Sequence, residues 1–254
     1  MARKNKTGGS EIERVPTGIP GLDPLIEGGL PQGSVTLVTG SAGTCKKIFG
    51  LQYLVSGAMK GEKGIYINFD EEKSQLYAQA MRFGWDLNRL EKEGKIEILN
   101  FDMTKTHVVN VIIEMEAAVK KLGPERLVLD SISVLGIYSQ VSAGAELSQL
   151  LGVKGDSANM SMNEIVSRGA VMGIVSKIRG LGPTSIIISE LPEESQWLSR
   201  DTVSEFVCDG VIKLSWLEAL NKRTITVKKL RATANSLEAR SFSINNKGVV
   251  VEKE

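Results

Sequence analysis

The sequence predicts an α/β fold with a mainly parallel central sheet, helices on both faces, and antiparallel strands toward the C-terminus. Short apolar, β-branched runs alternate with segments whose apolar residues recur at helical spacing. Such alternating units favour a parallel sheet covered by helices. In the last third of the chain four strand-like runs follow one another without helices between them. That change of pattern predicts antiparallel strands added at one edge.

The first βα unit has the clearest signals. The run at 35–39 is apolar and rich in β-branched residues, and it ends at Gly40, as a buried strand does. Apolar residues then recur at helical spacing over 48–58, until Gly61 ends the helix.

The later elements repeat this design in chain order. Further strands are predicted at 64–69, 96–101, 127–131 and 185–190, and further helices at 73–83, 108–122 and 163–179. The C-terminal strands are predicted at 211–216, 223–230, 241–245 and 249–251.

Length and composition fit one large domain. The chain has 254 residues, and a hydrophobic content of 42% suffices for a substantial core. We expect a single domain over residues 11–254, preceded by a polar, basic and disordered start over residues 1–10.

Charge and cysteine content exclude several classes of function. The 31 basic and 30 acidic residues leave a formal charge of +1, so no overall field favours nucleic acid or an anionic membrane. Cys45 and Cys208 form neither a disulfide framework nor a zinc site. With no signal peptide and no apolar run long enough for a bilayer, we expect a cytoplasmic protein without membrane contact.

A degenerate phosphate-binding loop (Walker A motif) follows the first strand. The pattern G-x-x-x-x-G-K-[ST] has its first glycine and its lysine here, but Cys45 replaces the second glycine and Lys47 replaces the serine or threonine. Strand, glycine-rich loop and helix form the context that the motif needs. The expected nucleotide-binding residues are Gly40, Ser41, Ala42, Gly43, Thr44, Cys45, Lys46, Lys47 and Ile48.

The two substitutions predict that anion binding outlasts catalysis. Lys47 removes the hydroxyl that ligates magnesium and adds a positive charge that repels a divalent cation, while two lysines at a helix N-terminus still attract phosphate. Lys47 is expected either to pair with the phosphates as a built-in cation or to swing into solvent. The alternative interpretation is a loop that binds nothing. Cys45, beside two lysines at a helix start, is expected to have a lowered thiol pKa.

Several segments in the same order resemble a KaiC-type domain of the RecA-like ATPases. They lie at 14–23, 28–34, 83–87, 127–131, 203–210 and 227–231, and the resemblance runs from about residue 11 to residue 251. It implies a RecA-like fold, ATP or ADP as ligand, and a homo-oligomer, most simply a ring of six subunits or an assembly with a paralogous subunit.

The resemblance also implies roles for acidic residues. Asp130, at the end of a predicted strand, corresponds to the residue that orients the magnesium shell, and its alternative role is that of a plain strand-end carboxylate. Asp70 and Glu71 correspond to a glutamate pair that polarises the attacking water, although the first is one methylene shorter here. An exposed acidic turn is the alternative for this pair.

Lys229 and Arg231 correspond to a Lys-x-Arg motif that reaches the γ-phosphate of a neighbouring subunit. The motif is followed by Ala232 in place of a usual glycine and Asn235 in place of a common histidine, which weakens the match. An exposed strand edge is the alternative.

The sequence therefore predicts an ATP- or ADP-binding protein with weak or absent hydrolysis and little need for magnesium. The alternative is a non-catalytic scaffold or regulatory subunit that needs no nucleotide. A recombinase-type DNA-binding protein ranks third, because the segment 139–161, where relatives contact DNA, carries a single lysine. That segment is instead expected to be a flexible or partner-binding insertion.

Overall fold

The structure, a computed structural model, describes residues 12–139 and 159–252, with the side chains of 159–166 left out. The expected disordered start and most of the segment 139–161 lie outside the described residues.

Within the described residues, nine strands form the central sheet, and the predicted α/β architecture is confirmed. The strands of the sheet are β3 (Val35–Gly40), β4 (Gly64–Asn68), β5 (Ile96–Asn100), β6 (Arg126–Asp130), β7 (Thr184–Glu190), β8 (Gly210–Leu217), β9 (Lys222–Leu230), β10 (Arg240–Asn245) and β11 (Gly248–Val251). Their order is β11-β10-β9-β8-β3-β7-β6-β4-β5. The six strands from β8 to β5 are parallel, and β9, β10 and β11 add antiparallel pairs at one edge. A separate antiparallel pair joins β1 (Arg14–Val15) to β2 (Leu30–Pro31), and the sequence analysis did not predict it.

Helices cover both faces of the sheet. They are α1 (Lys46–Ala58), α2 (Lys73–Met81), α3 (Leu87–Lys92), α4 (Val108–Leu122), α5 (residues 132–139), α6 (Asn159–Leu181) and α7 (Ser204–Val207). Helix α3 was not predicted, although the Asp86 carboxylate caps it by accepting a hydrogen bond from the Arg89 backbone N–H at 2.9 Å. None of the helices within 12–139 and 159–252 is both long and apolar enough to cross a bilayer.

Alternating side chains of the buried strands fill two separate cores. In β6, Val128 packs into the core beneath α1, α2 and α3, whereas Leu127 and Leu129 pack into the core beneath α4, α5 and α6. The period of two along a strand that is buried on both faces explains its unbroken apolar sequence.

The parallel register brings the ends of separate strands to one edge of the sheet. Gly40 of β3 is opposite Glu190 of β7, and Asn68 of β4 is opposite Asp130 of β6. The loop after β3 and the acidic ends of β6 and β7 therefore meet at the carboxyl edge.

The C-terminal end of β9 lies opposite the carboxyl edge, where the parallel strands begin. Leu230 is opposite Gly210 of β8, which in turn is opposite Thr36 near the start of β3. The six residues of β3 span about 17 Å at roughly 3.3 Å per residue. Lys229 and Arg231 are therefore separated from the loop of their own chain by about the length of a strand.

The core beneath α1 contains the side chain of Leu54, which is 1% exposed, and a substitution at this position tests the packing. We expect Leu54→Ala to lower the free energy of unfolding by about 2–5 kcal/mol, because it removes buried methyl groups and leaves a cavity. Met59→Ala, at the end of the same helix and 65% exposed, is the control and should change it by less than about 0.5 kcal/mol. Urea unfolding measures both, and equal effects would contradict the described packing.

Candidate functional site

The loop with the degenerate motif connects β3 to α1 and has two residues in left-handed conformation. Gly43 has φ 72° and Cys45 has φ 70°. Glycine adopts this region freely, whereas a side chain there costs on the order of 1 kcal/mol. The left-handed backbone thus explains why the motif has glycine at position 45. Cys45 keeps the same conformation at some cost in strain.

Hydrogen bonds within the loop hold it closed. The Thr44 hydroxyl and the Lys46 ammonium both donate to the carbonyl oxygen of Ser41, each at 2.8 Å. A Cβ at Gly40 would approach the Leu214 carbonyl oxygen to 2.4 Å, so only glycine fits there without a shift. Helix α1 begins directly after the loop, and the N–H groups of its first turn have no carbonyl partner within the helix.

Lys47 lies among carboxylates at the carboxyl edge. Its Nζ is 2.8 Å from Glu71 Oε1 and 4.0 Å from Asp130 Oδ2. The side chain is 25% exposed, so the expectation that it swings into solvent is wrong. Burial alone would lower the pKa of Lys47, but the charges of Asp130 and Glu71 raise it above its ordinary value. Lys47 is therefore a fixed cation of this site.

Glu71 is the ion-pair partner of Lys47 in the loop, while Asp70 acts on Lys47 through its charge. Its Oε1 accepts from Lys47, its Oε2 accepts from Gln79 Nε2 at 2.7 Å, and its backbone carbonyl accepts from Asn68 Nδ2 at 2.6 Å. Asp70 is exposed beside it. Of the two predicted water-polarising carboxylates, the structure thus brings Glu71 to position 47 and holds it there by ion pairing.

Asp130 is the most buried acid of the site, with 3% of its side chain exposed. The Tyr66 hydroxyl donates to its Oδ2 at 2.6 Å. Burial raises the pKa of Asp130 to about 6, although Lys47 and the Tyr66 hydrogen bond act in the opposite direction. Burial and the neighbouring carboxylate raise the pKa of Tyr66 well above 10, so this phenol remains a donor. Tyr66 was not identified from the sequence.

Lys46 is shielded from solvent more than a surface lysine. Burial lowers its pKa, while the charges of Glu190 and Asp130 favour the protonated form. Glu190 was also missed as a site residue. The sequence did contain a signal for it, an acidic residue at the end of a strand. Glu190 ends the predicted strand at 185–190 just as Asp130 ends its own strand.

Trp216 and Arg223 cover the outer side of the loop. Arg223 Nε donates to the Gly43 carbonyl oxygen at 3.3 Å, and its guanidinium carbon is 5.3 Å from the centre of the Trp216 ring. A Cβ at Gly43 would lie 3.5 Å from that ring. The sequence pattern gave no sign of this contact, because it depends on β8 lying beside β3. A cavity of about 570 Å³ adjoins the loop here, lined by Ser41, Ala42, Gly43, Glu193, Glu194 and the stretch 216–220.

The expectation that the thiol pKa of Cys45 is lowered is wrong. Burial raises the pKa of its thiol, outweighing the opposite effects of Arg223 and Lys46. Cys208 is fully buried, and burial raises the pKa of its thiol to about 12. Both cysteines are free thiols.

The residues present do not fit a magnesium ion of the usual kind. Such an ion is held by the loop serine or threonine and by the acidic strand end, but Lys47 has no acceptor atom. Its ammonium already lies between Glu71 and Asp130. Two unit charges about 4 Å apart repel by about 4 kcal/mol at an effective dielectric of 20, and a divalent ion doubles that figure. Across the described ranges, no group of three His, Cys, Asp or Glu side chains could hold a metal ion.

Lys229 and Arg231 are both engaged within the subunit. Lys229 Nζ donates to the backbone carbonyl oxygens of Glu205, Phe206 and Cys208, at 3.0, 3.2 and 2.6 Å. Arg231 Nη1 lies 2.9 Å from Asp209 Oδ1, and its side chain is 58% exposed. Neither residue meets the loop of its own chain.

Comparisons with known proteins agree with this architecture. A family model described as "ATPase: KaiC" matches residues 15–155 and 154–254. The chain is 34% identical over 252 residues to the circadian clock protein KaiC3 of Synechocystis sp., which covers 94% of this chain and 46% of that protein. It is 28% identical over 257 residues to a UPF0273 protein of Aeropyrum pernix, covering 94% of each.

A solved structure is similar along the whole fold. The crystal structure of a KaiC-like protein from Pyrococcus horikoshii OT3 superposes with a TM-score of 0.76 at 32% identity, covering 96% of this chain and 100% of that one. The chain thus spans about half of the KaiC3 protein and nearly all of the UPF0273 protein.

The raised pKa of Asp130 predicts a pH-dependent stability. The folded state holds this proton up to about pH 6, against an ordinary value of 3.8. The contribution of Asp130 to stability therefore falls as the pH rises from about 4 through about 6. Asparagine does not titrate, so Asp130→Asn lacks this loss. Relative to the wild type, its free energy of unfolding should rise by up to about 3 kcal/mol between pH 4 and pH 7.

Urea unfolding at several pH values measures this gain. Asp102→Asn is the control, because its carboxyl has a pKa of about 2 and is already ionised above pH 4.5 or so. Its stability difference from the wild type should stay constant over the same interval. A constant difference for Asp130→Asn as well would contradict the described burial.

Proposed function

The chain belongs to the KaiC family of ATPases, and we propose that it binds ATP or ADP through residues 40–48 and hydrolyses the nucleotide weakly or not at all. The proposed binding is supported by a closed glycine-rich loop that leads into α1, with Lys46 and Lys47 at its first two positions. In this proposal magnesium is not required, and the protein acts through assembly or regulation in the cytoplasm.

The observation that carries the loss of hydrolysis is the ion pair between Lys47 and Glu71 at 2.8 Å. Lys47 removes the hydroxyl that orients a metal ion, and it binds the carboxylate that corresponds to a water-polarising residue. A carboxylate engaged on both oxygens, by Lys47 and Gln79, is poorly placed to activate water. One lost transition-state contact typically costs about 3 kcal/mol, or about a hundredfold in rate.

Hydrolysis is tested with the wild type and with the double variant Cys45→Gly/Lys47→Thr. We expect the double variant to release phosphate from ATP at least about 100-fold faster in magnesium, because a loop glycine and a metal-ligating hydroxyl are restored. Phosphate release at saturating ATP measures the rates. The triple variant that adds Glu71→Gln should lose the gain.

Robust ATP hydrolysis by the wild type would contradict this proposal. Direct titration of ATP and ADP into the wild type tests the alternative of a scaffold that needs no nucleotide. That alternative is favoured by the fact that Lys46 and Lys47 already have protein partners, the Ser41 carbonyl and the Glu71 carboxylate. It predicts that the wild type binds neither ATP nor ADP.

We further propose a homo-oligomer, most simply a ring of six subunits, or an assembly with a paralogous subunit. In this arrangement Arg231, with Lys229 beside it, approaches the nucleotide of the next subunit. The proposal is supported by their position at the sheet edge opposite the loop, since a cation there could act on a nucleotide only from a neighbour. The greater exposure of Arg231 makes it the better candidate for that contact.

We expect Arg231→Ala to reduce nucleotide-dependent assembly without unfolding the subunit, because it removes an exposed cation from the proposed boundary. Arg89→Ala is the control, since Arg89 has a similar exposure of 60% and one acidic partner, Glu93. Sedimentation velocity with and without ATP measures the assembly. A protein that stays monomeric at high concentration in both conditions would overturn the proposal.

A further inference from the structure

We propose that the Lys47 ammonium replaces the divalent cation of this site and that the site therefore selects nucleotide free of magnesium over the magnesium complex. This inference rests on the proposed nucleotide binding, and it concerns the chemical form of the ligand.

Position and distance support the replacement. Lys47 Nζ lies between a carboxylate that follows β4 and another that ends β6, at 2.8 Å from Glu71 Oε1 and 4.0 Å from Asp130 Oδ2. Asp130 and the residue at position 47 correspond to the groups that usually surround the metal shell of a phosphate-loop site, and Glu71 corresponds to a residue that polarises the attacking water. Here the cation is covalently part of the chain.

The charges around Lys47 also support the replacement. Without a cation, Glu71 and Asp130 would face the phosphates of a nucleotide and repel them. Lys47 offsets one of these two negative charges in place. An ammonium carries three N–H donors, and its short contact with Glu71 uses one of them. The remaining donors are free to meet a phosphate oxygen, so Lys47 can bridge carboxylate and phosphate as a metal ion does.

The same arrangement disfavours the magnesium complex. A divalent ion brought in with the nucleotide would have to displace Lys47 from Glu71, and it would find no hydroxyl ligand at position 47. Lys47 would then lose two acidic neighbours in a part of the protein where its side chain is only 25% exposed. Magnesium in solution therefore lowers the concentration of the preferred ligand rather than assisting its binding.

Isothermal titration of ATP and ADP, in chelator and in excess magnesium, tests the inference. For the wild type we expect no gain in affinity with magnesium, and a loss for ATP because it is sequestered as its metal complex. For Lys47→Thr we expect the opposite, a gain with magnesium of about tenfold or more, since charged contacts of this kind change affinity by about ten- to a hundredfold. Lys47→Arg keeps the positive charge and should keep the wild-type pattern.

Binding of Mn²⁺ together with ADP, followed by electron paramagnetic resonance, adds a readout independent of affinity. The wild type should leave the signal of the Mn·ADP complex unchanged, and Lys47→Thr should change it by immobilising the ion. If Lys47→Thr does not fold, Glu71→Gln serves instead. That change frees Lys47 for the phosphates, so metal-free ATP should bind it more tightly than the wild type.

The possible outcomes separate this inference from the proposal on which it rests. A wild-type affinity that rises tenfold or more with magnesium would overturn the inference and leave nucleotide binding intact. Loss of metal-free binding in Glu71→Gln would overturn it as well. Absence of binding in both chelator and magnesium would overturn the proposed function, and the inference with it.

Discussion

The parallel register of β3, β7, β6 and β4 is the constraint on which the site depends. Because these strands run in the same direction and are aligned residue by residue, the loop after Gly40 meets Asp130 and Glu190, residues far apart in the chain. The apolar cores on both faces fix that alignment, since a slip of one residue would turn each strand's side chains to the opposite face. The ion pair of Lys47 is a local consequence of this global arrangement.

Within that frame, Lys47 offsets part of the negative charge that the carboxylates place at this edge of the sheet. Buried carboxylates are costly unless they are paired or protonated. The raised pKa of Asp130 shows that part of this cost persists beside Lys47. A site of this kind is organised before any ligand arrives, because its cation does not have to be recruited. Such preorganisation reduces the rearrangement of side chains that binding requires. A covalently attached ammonium also cannot exchange its ligands as a mobile metal ion does.

Much of the fold could be predicted because it follows from periodicity. The strand at 35–39, the helix at 108–122 and the C-terminal strands all carry apolar residues at the spacing of their element type. Helix α3 was missed because six residues hold too little pattern. In the site, the loop residues and Asp130 could be identified from motif and strand position. Trp216 and Arg223 could not, because their contact with Gly43 depends on which strand lies beside β3.

The separation of Arg231 from the loop of its own chain has a consequence for mixed assemblies. In the proposed assembly a subunit has two independent functions at opposite ends of its strands, one that receives a nucleotide and one that faces a neighbour. Substitutions in the loop, such as those at positions 45 and 47, lie about the length of a strand from the Arg231–Asp209 ion pair and make no contact with it. Under the proposed function, a chain that has lost its own chemistry retains the surface with which to complete the site of an intact paralogue, so catalytic degeneracy and usefulness to a partner are compatible in one fold.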